Sequence, residues 1–217
     1  MAKDIILRVE DSIKKNWDRD ALTDYKGCTL QYKDVARRIE KLHIMFNEVG
    51  IEPGDKISLC GRNSSNWGVA FLAALTYGAV PVPILHEFKA DNVHNIINHS
   101  DSKLAFIGES NWENLNEDEI PNVLGVIRIE DYDLIISRDE RLTYAREHLN
   151  ELFGRKYPNV FTADDLNYYE DSADELAVIN YTSGTSGFSK GVMIPYRAIL
   201  SNIQFGCKVL PQLDHTS

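Results

Sequence analysis

Positive charge is scarce in this chain. Its 217 residues hold 23 Lys and Arg against 33 Asp and Glu, a formal net charge of −10. No basic stripe offsets that balance, so nucleic-acid phosphates and anionic membrane surfaces are both disfavoured as partners. Cysteine is scarce too. Cys28, Cys60 and Cys207 are odd in number and widely spaced, with no C-x-x-C. That excludes a disulfide framework and a zinc site of the usual spacing, and a reducing, cytoplasmic setting is expected. No apolar run reaches the roughly 18 residues that span a bilayer, so no integral membrane segment is expected. The opening "MAKDIILRVE" is too charged for a signal peptide. The six histidines (His43, His86, His94, His99, His148 and His215) are scattered. His94 and His99 lie five apart, off the i, i+4 face, and no metal site is expected among them. Internal repeats are absent as well.

What is present is a core and an alternation. Hydrophobic residues make up 43% of the chain, enough for one large domain or one domain and part of another. Val35, Ala36, Ile39, Leu42 and Phe46 follow Tyr32 at helical spacing, and Gly50 stands where such a helix would stop. "KISLC" (56–60) reads as a strand. Trp67, Ala70, Phe71, Ala74 and Leu75 mark a helix over 65–77, ended by Gly78. "AVPVPI" (79–84) reads as a strand whose two prolines suggest a sheet edge or the strand's end. A helix over 92–99 and strands over 103–108 and 123–129 continue the pattern. Strand–helix–strand alternation predicts an α/β fold with a mostly parallel sheet covered by helices. Trp67, Phe71 and Tyr77 are expected in the core. Arg62 and Asn63 follow a strand end, where open α/β sheets take ligands, although a turn held by Asn63 would explain them equally well.

Two acidic stretches, 109–122 and 161–175, carry five and six carboxylates and no cation, and read as solvated loops. "LAVINYT" (176–182) then reads as a buried strand and "GVMI" (191–194) as another. Between them, Thr182 to Lys190 is almost entirely Gly, Ser and Thr and ends on a lysine. Glycines let successive N–H groups turn towards one anion, hydroxyls add donors, and the lysine adds full charge. The composition suits a polyphosphate. It is not a Walker loop: counting from Gly184, Ser189 stands where glycine is needed and Gly191 where Ser or Thr is needed. It is not a nucleophile elbow either, because Phe188 replaces the final glycine. Composition alone leaves a flexible hairpin tip with a surface lysine as the alternative.

The ordered run Tyr181-Thr182-Ser183-Gly184-Thr185-Ser186-Gly187-x-x-Lys190-Gly191 resembles the phosphate loop of the adenylate-forming, AMP-binding superfamily, which includes acyl-CoA synthetases, luciferases and peptide-synthetase adenylation domains. "GDKISLCGRNSSNWGVAFLAALTYGAVPVPI" (54–84) and "TLQYKDVARRIEKL" (29–42) resemble family stretches upstream of that loop. The resemblance implies the amino-terminal portion of the large domain of such an enzyme over 1–217, with the phosphate loop at 181–191. It implies ATP held by Thr182, Ser183, Gly184, Thr185, Ser186, Gly187 and Lys190. It further implies Mg²⁺, coenzyme A and a small carboxylic acid, with a lean towards a fatty acid, as cofactors and substrates of a longer parent. The family's catalytic groups lie downstream of the loop, so this piece is expected to hold part of the ATP site and no complete active site. The alternatives are an amino-acid adenylation domain of a peptide synthetase and a non-catalytic nucleotide-binding fragment. Three positions depart from the family: Ser186 for a second threonine, Ser189 for proline and Tyr196 for histidine. With Ser189 freeing the backbone, the loop is expected to be mobile when no phosphate organises it.

Overall fold

The computed structural model describes residues 5–182 and 190–209, apart from the side chain of Cys207. The chain opens with helix α1 (Ile5–Lys15), a short antiparallel pair β1 (Asp20–Thr23) and β2 (Thr29–Gln31), and the long helix α2 (Tyr32–Val49). There follow β3 (Lys56–Cys60), α3 (Ser65–Thr76), β4 (Val80–Ile84), α4 (Ala90–His99), β5 (Ser102–Ile107), the single turn α5 (Glu109–Trp112) and β6 (Gly125–Arg128). After these come β7 (Leu134–Ser137), α6 (Glu140–Glu147), α7 (Leu149–Lys156), β8 (Leu176–Thr182), β9 (Lys190–Pro195) and α8 (Tyr196–Val209).

A five-stranded sheet of order β4-β3-β5-β6-β7 organises the chain. β3 pairs in parallel with β4 and β5, and β5 with β6; only β7 runs antiparallel. Strand alternation splits the core in two. Ile57, Leu59, Leu104, Phe106 and Ile127 face α1, α2, α3 and α6, whereas Cys60, Ala105, Ile107 and Val126 face α4. Helices therefore cover both faces of a mostly parallel sheet, as the alternation predicted. β4 lies at the sheet's edge, the first of the two placements its prolines suggested.

The helix ends follow local chemistry. The Asp34 carboxylate accepts the Gln31 N–H at the start of α2 (3.0 Å), and the Ser64 hydroxyl accepts the Trp67 N–H at the start of α3 (3.1 Å). Gly50 and Gly78 end these helices with φ of 80° and 85°. A Cβ at Gly78 would also lie 2.7–2.9 Å from the Tyr169 ring, whereas Gly54, at φ 89°, has nothing within 4 Å. Gly54→Ala should therefore cost only the left-handed backbone, about 1 kcal/mol, while Gly78→Ala should cost about 2 kcal/mol because the ring must move. Denaturant midpoints of the two variants test this, and equal losses would defeat it.

The acidic stretches are not simply solvated loops. Ile120 is fully buried in the first, and Phe161, Leu166 and Tyr168 are buried in the second. Asp171 is buried as well: its carboxylate accepts the N–H groups of Ile5 and Ile6 (3.2 and 3.0 Å) at the start of α1. The second stretch is thus a strap whose apolar side chains dock on the core and whose carboxylate satisfies the first turn of a helix more than 160 residues earlier in the chain. Trp67, Phe71 and Tyr77 pack against the core half-buried, with Trp67 and Phe71 stacked at 5.5 Å.

Candidate functional site

The site is built on the hairpin of β8 and β9, which form their own antiparallel ladder. β8 buries Ala177, Val178, Ile179 and Tyr181 and runs alongside β4 without joining its sheet. Proline explains the break. The N–H groups on the β3 side belong to the alternate residues Val80, Val82 and Ile84, and Val80 donates to the Asp55 carbonyl at 2.8 Å. Pro81 and Pro83 therefore face outward, where they offer β8 no donor.

The hairpin is tied down by side chains. Tyr181 Oη and His99 Nδ1 are hydrogen-bonded at 2.7 Å, their rings edge to face, which fixes β8 to the last residue of α4. A Cβ on Gly191 would stand 3.1 Å from both Ile179 Cγ2 and Tyr181 Cζ, so glycine allows β9 to lie this close over β8. At the far end the Tyr196 N–H donates to the Glu175 carbonyl at 3.0 Å, and Arg197 forms an ion pair with Asp174. Tyr196 is buried, its hydroxyl 3.5 Å from the Leu75 carbonyl, and burial raises the phenol above its ordinary range. The position where the resemblance placed a histidine is therefore a core anchor between α8 and α3.

The ladder closes on Thr182, which lies directly across from Lys190; both are exposed. Lys190 makes no ion pair among the described residues. These two bracket the glycine–hydroxyl loop. Ser183, Gly184, Thr185, Ser186 and Gly187, and with them the expectation of a mobile loop, lie outside the described residues. From Leu176 to Pro195 the chain has no carboxylate. Donor hydroxyls, one ammonium and no acid, in a chain of net charge −10, fit a polyanion at the hairpin mouth.

Other expected site residues lie elsewhere. Arg62 and Asn63 are exposed beyond β3, and Arg62 borders a cavity of about 550 Å³ with His86, Lys89 and Asn111. Among the described residues no group of three or more His, Cys, Asp or Glu could hold a metal, and no helix is long and apolar enough to cross a membrane. Composition missed the Tyr181–His99 contact; its signal was the aromatic that alternates with Thr182 in β8 and so points to the opposite face.

Residues 9–215 match the profile of the AMP-binding enzyme family. The chain belongs to that family. Long chain acyl-CoA synthetase 3 of Arabidopsis thaliana is 25% identical over 183 residues, covering 84% of this chain and 27% of the relative. Surfactin synthase subunit 2 of Bacillus subtilis is 26% identical over 194 residues, 88% of this chain and 5% of the relative. In fold, ATP-bound MatB from Rhodopseudomonas palustris superposes with a TM-score of 0.71 at 19% identity, over 96% of this chain and 38% of that one. The family's α/β architecture, in its amino-terminal portion, is the one described above. The chain spans about a quarter of the length of the acyl-CoA synthetase relative.

Proposed function

We propose that residues 1–217 form the amino-terminal part of an ATP-dependent, AMP-forming acyl-CoA synthetase acting on a fatty acid. In that reaction a carboxylate oxygen attacks the α-phosphorus of ATP, and pyrophosphate leaves with the electron pair of the broken P–O bond. The thiol of coenzyme A, losing its proton, then attacks the acyl carbonyl and expels AMP. The observation that carries this proposal is the hairpin mouth, where Thr182 and Lys190 face each other across the glycine–hydroxyl loop, within a run from Leu176 to Pro195 that contains no carboxylate. Thr182, Ser183, Thr185 and Ser186 would donate hydroxyls to the β- and γ-phosphates, Gly184 and Gly187 would let backbone N–H groups approach, and Lys190 would neutralise charge. Mg²⁺ would accompany ATP and share that charge. A cytoplasmic setting agrees with the exposed free thiol of Cys28.

ATP–pyrophosphate exchange by the full-length enzyme, with panels of fatty and amino acids, tests the proposal. Exchange driven by fatty acids, followed by acyl-CoA formation, is the expected result. The likeness to a surfactin synthase subunit supports a second reading, an amino-acid adenylation domain; exchange driven only by amino acids would establish it in place of the first. Residues 1–217 alone should release no pyrophosphate at ordinary enzymatic rates, on the order of 1 s⁻¹.

A further inference from the structure

A second concentration of positive charge lies at the opposite edge of the sheet from the hairpin. A cavity of about 460 Å³ opens between α2, α6 and the turn after β6, and Arg38, Lys41, Asn66, Arg146 and Asn150 line it. That volume falls within the range of small-molecule sites, about 300–1,000 Å³. The cavity sits beyond the carboxyl ends of β3 and β6, where open α/β sheets take ligands.

Two of its three cations, Arg38 and Lys41, have no carboxylate partner among the described residues, in a chain that has ten acids to spare. Arg38 Nη1 donates to the side-chain carbonyl of Asn66 at 2.5 Å, and Lys41 Nζ to that of Asn150 at 2.7 Å; both acceptors are neutral. Asn66 is itself fixed by donating to the Glu130 carbonyl at 2.6 Å. Neither Arg37, Arg38 nor Lys41 forms an ion pair among the described residues. The acids at the rim are turned elsewhere. Asp131 is gripped by Arg128 at 2.9 and 2.7 Å, and the Glu130 carboxylate accepts the Glu109 N–H at 3.1 and 3.2 Å. Arg146 is paired with Asp133 at 2.6 Å, while Glu147 remains as an exposed rim carboxylate. Burial and the guanidiniums of Arg37, Arg146 and Arg38 all push the Lys41 ammonium towards losing its proton. Like charges held together on neutral amides are stabilised when an anion completes the cluster.

We propose that this cavity binds a phosphate-bearing small molecule, with Arg38 and Lys41 gripping its phosphate oxygens and Arg146 adding charge from α6. Because the hairpin loop is also assigned phosphate, the test separates the two. Inorganic pyrophosphate and ADP are titrated into residues 1–217 at low ionic strength by calorimetry, using the wild type, Lys190→Gln and the double variant Arg38→Gln/Lys41→Gln. Side-chain amide NMR signals of Asn66 and Asn150 are followed in parallel. The expected result is saturable binding that survives Lys190→Gln, shifts both amides, and weakens about 10- to 100-fold in the double variant. Tighter binding of ADP than of pyrophosphate would identify the source as a nucleotide, and the reverse a free phosphate. Should the double variant fail to fold, Lys41→Gln alone, at a half-exposed position, serves with an expected loss of about 10-fold. No saturable binding by the wild type, or binding abolished by Lys190→Gln and indifferent to Arg38 and Lys41, would overturn the proposal.

Discussion

Lys190→Ala should slow acyl-adenylate formation by the full-length enzyme by roughly 10- to 150-fold and leave transfer to the thiol nearly unchanged. The size follows from one charge-assisted hydrogen bond, about 1.5–3 kcal/mol, expressed in the transition state. The asymmetry follows from where charge develops. Negative charge accumulates on pyrophosphate as its bond to the α-phosphorus breaks, so a fixed cation helps most in that step. Once pyrophosphate has gone, the lysine has little left to stabilise. The position suits the role: Lys190 is held in register opposite Thr182 at the end of a hairpin that Tyr181, Gly191 and Tyr196 anchor to the core. Folding should be insensitive, since the side chain is exposed and its replacement should cost no more than about 0.5 kcal/mol. Single-turnover measurements of each half-reaction decide the matter. Equal slowing of both steps, or of neither, would leave Lys190 an ordinary surface residue.

The parts of this fold that could be read from the sequence are those with a clear period and a clear stop. α2 places ten of its 18 residues in the core at helical spacing and ends on a left-handed glycine, so both its face and its end were legible. β3, β4 and β5 are short apolar runs between helical segments, and the prolines of β4 marked its edge. Elements whose packing is sparse or distant escaped. α1 fully hides only Ile5, Ile6 and Ile13, and its first turn is completed by Asp171 from the other end of the chain. β7, α6 and α7 escaped for a related reason: α6 buries Leu142 and Ala145 alone and α7 fully buries nothing, so charge masks their period. The acidic strap was misread because its carboxylates dominate the composition while Phe161, Leu166 and Tyr168 do the packing. The candidate site was legible as an ordered motif, and the hairpin added the pairing of Thr182 with Lys190. The cavity beside Arg38 and Lys41 had no such signature, because its side chains come from four separate segments.

His43→Gln should flatten the acid limb of the stability curve. His43 is buried among Phe46, Tyr77 and Tyr168, with ring centroids 5.2–6.3 Å away. Its Nε2 lies 3.0 Å from the Ala73 carbonyl, which can only accept, so Nε2 carries the proton of a neutral ring. Burial pushes the imidazole down from 6.5 to about 4; the Glu40 carboxylate and the Ala73 carbonyl resist, and Lys156 adds to the fall. Glu40, the largest opposing influence, does not overcome burial: it already accepts from Lys156 at 2.9 Å and from the Tyr157 hydroxyl at 2.5 Å, and its nearer oxygen is 3.7 Å from Nδ1. The sign follows from proton uptake. Between pH 6.5 and 4 the unfolded chain binds a proton at His43 that the folded chain refuses, so stability is complete above about 6.5 and drains as pH falls. The slope is about 1.4 kcal/mol per pH unit, for a total of about 3 kcal/mol across that window. Glutamine can still donate to the Ala73 carbonyl but does not titrate. Denaturant unfolding of both proteins at pH 7, 6 and 5 should show the wild type losing about 2 kcal/mol more than the variant between pH 7 and 5. Parallel curves would mean that the imidazole is solvated enough to protonate in place and that the cluster of Glu40, His43 and Lys156 opens in the native state.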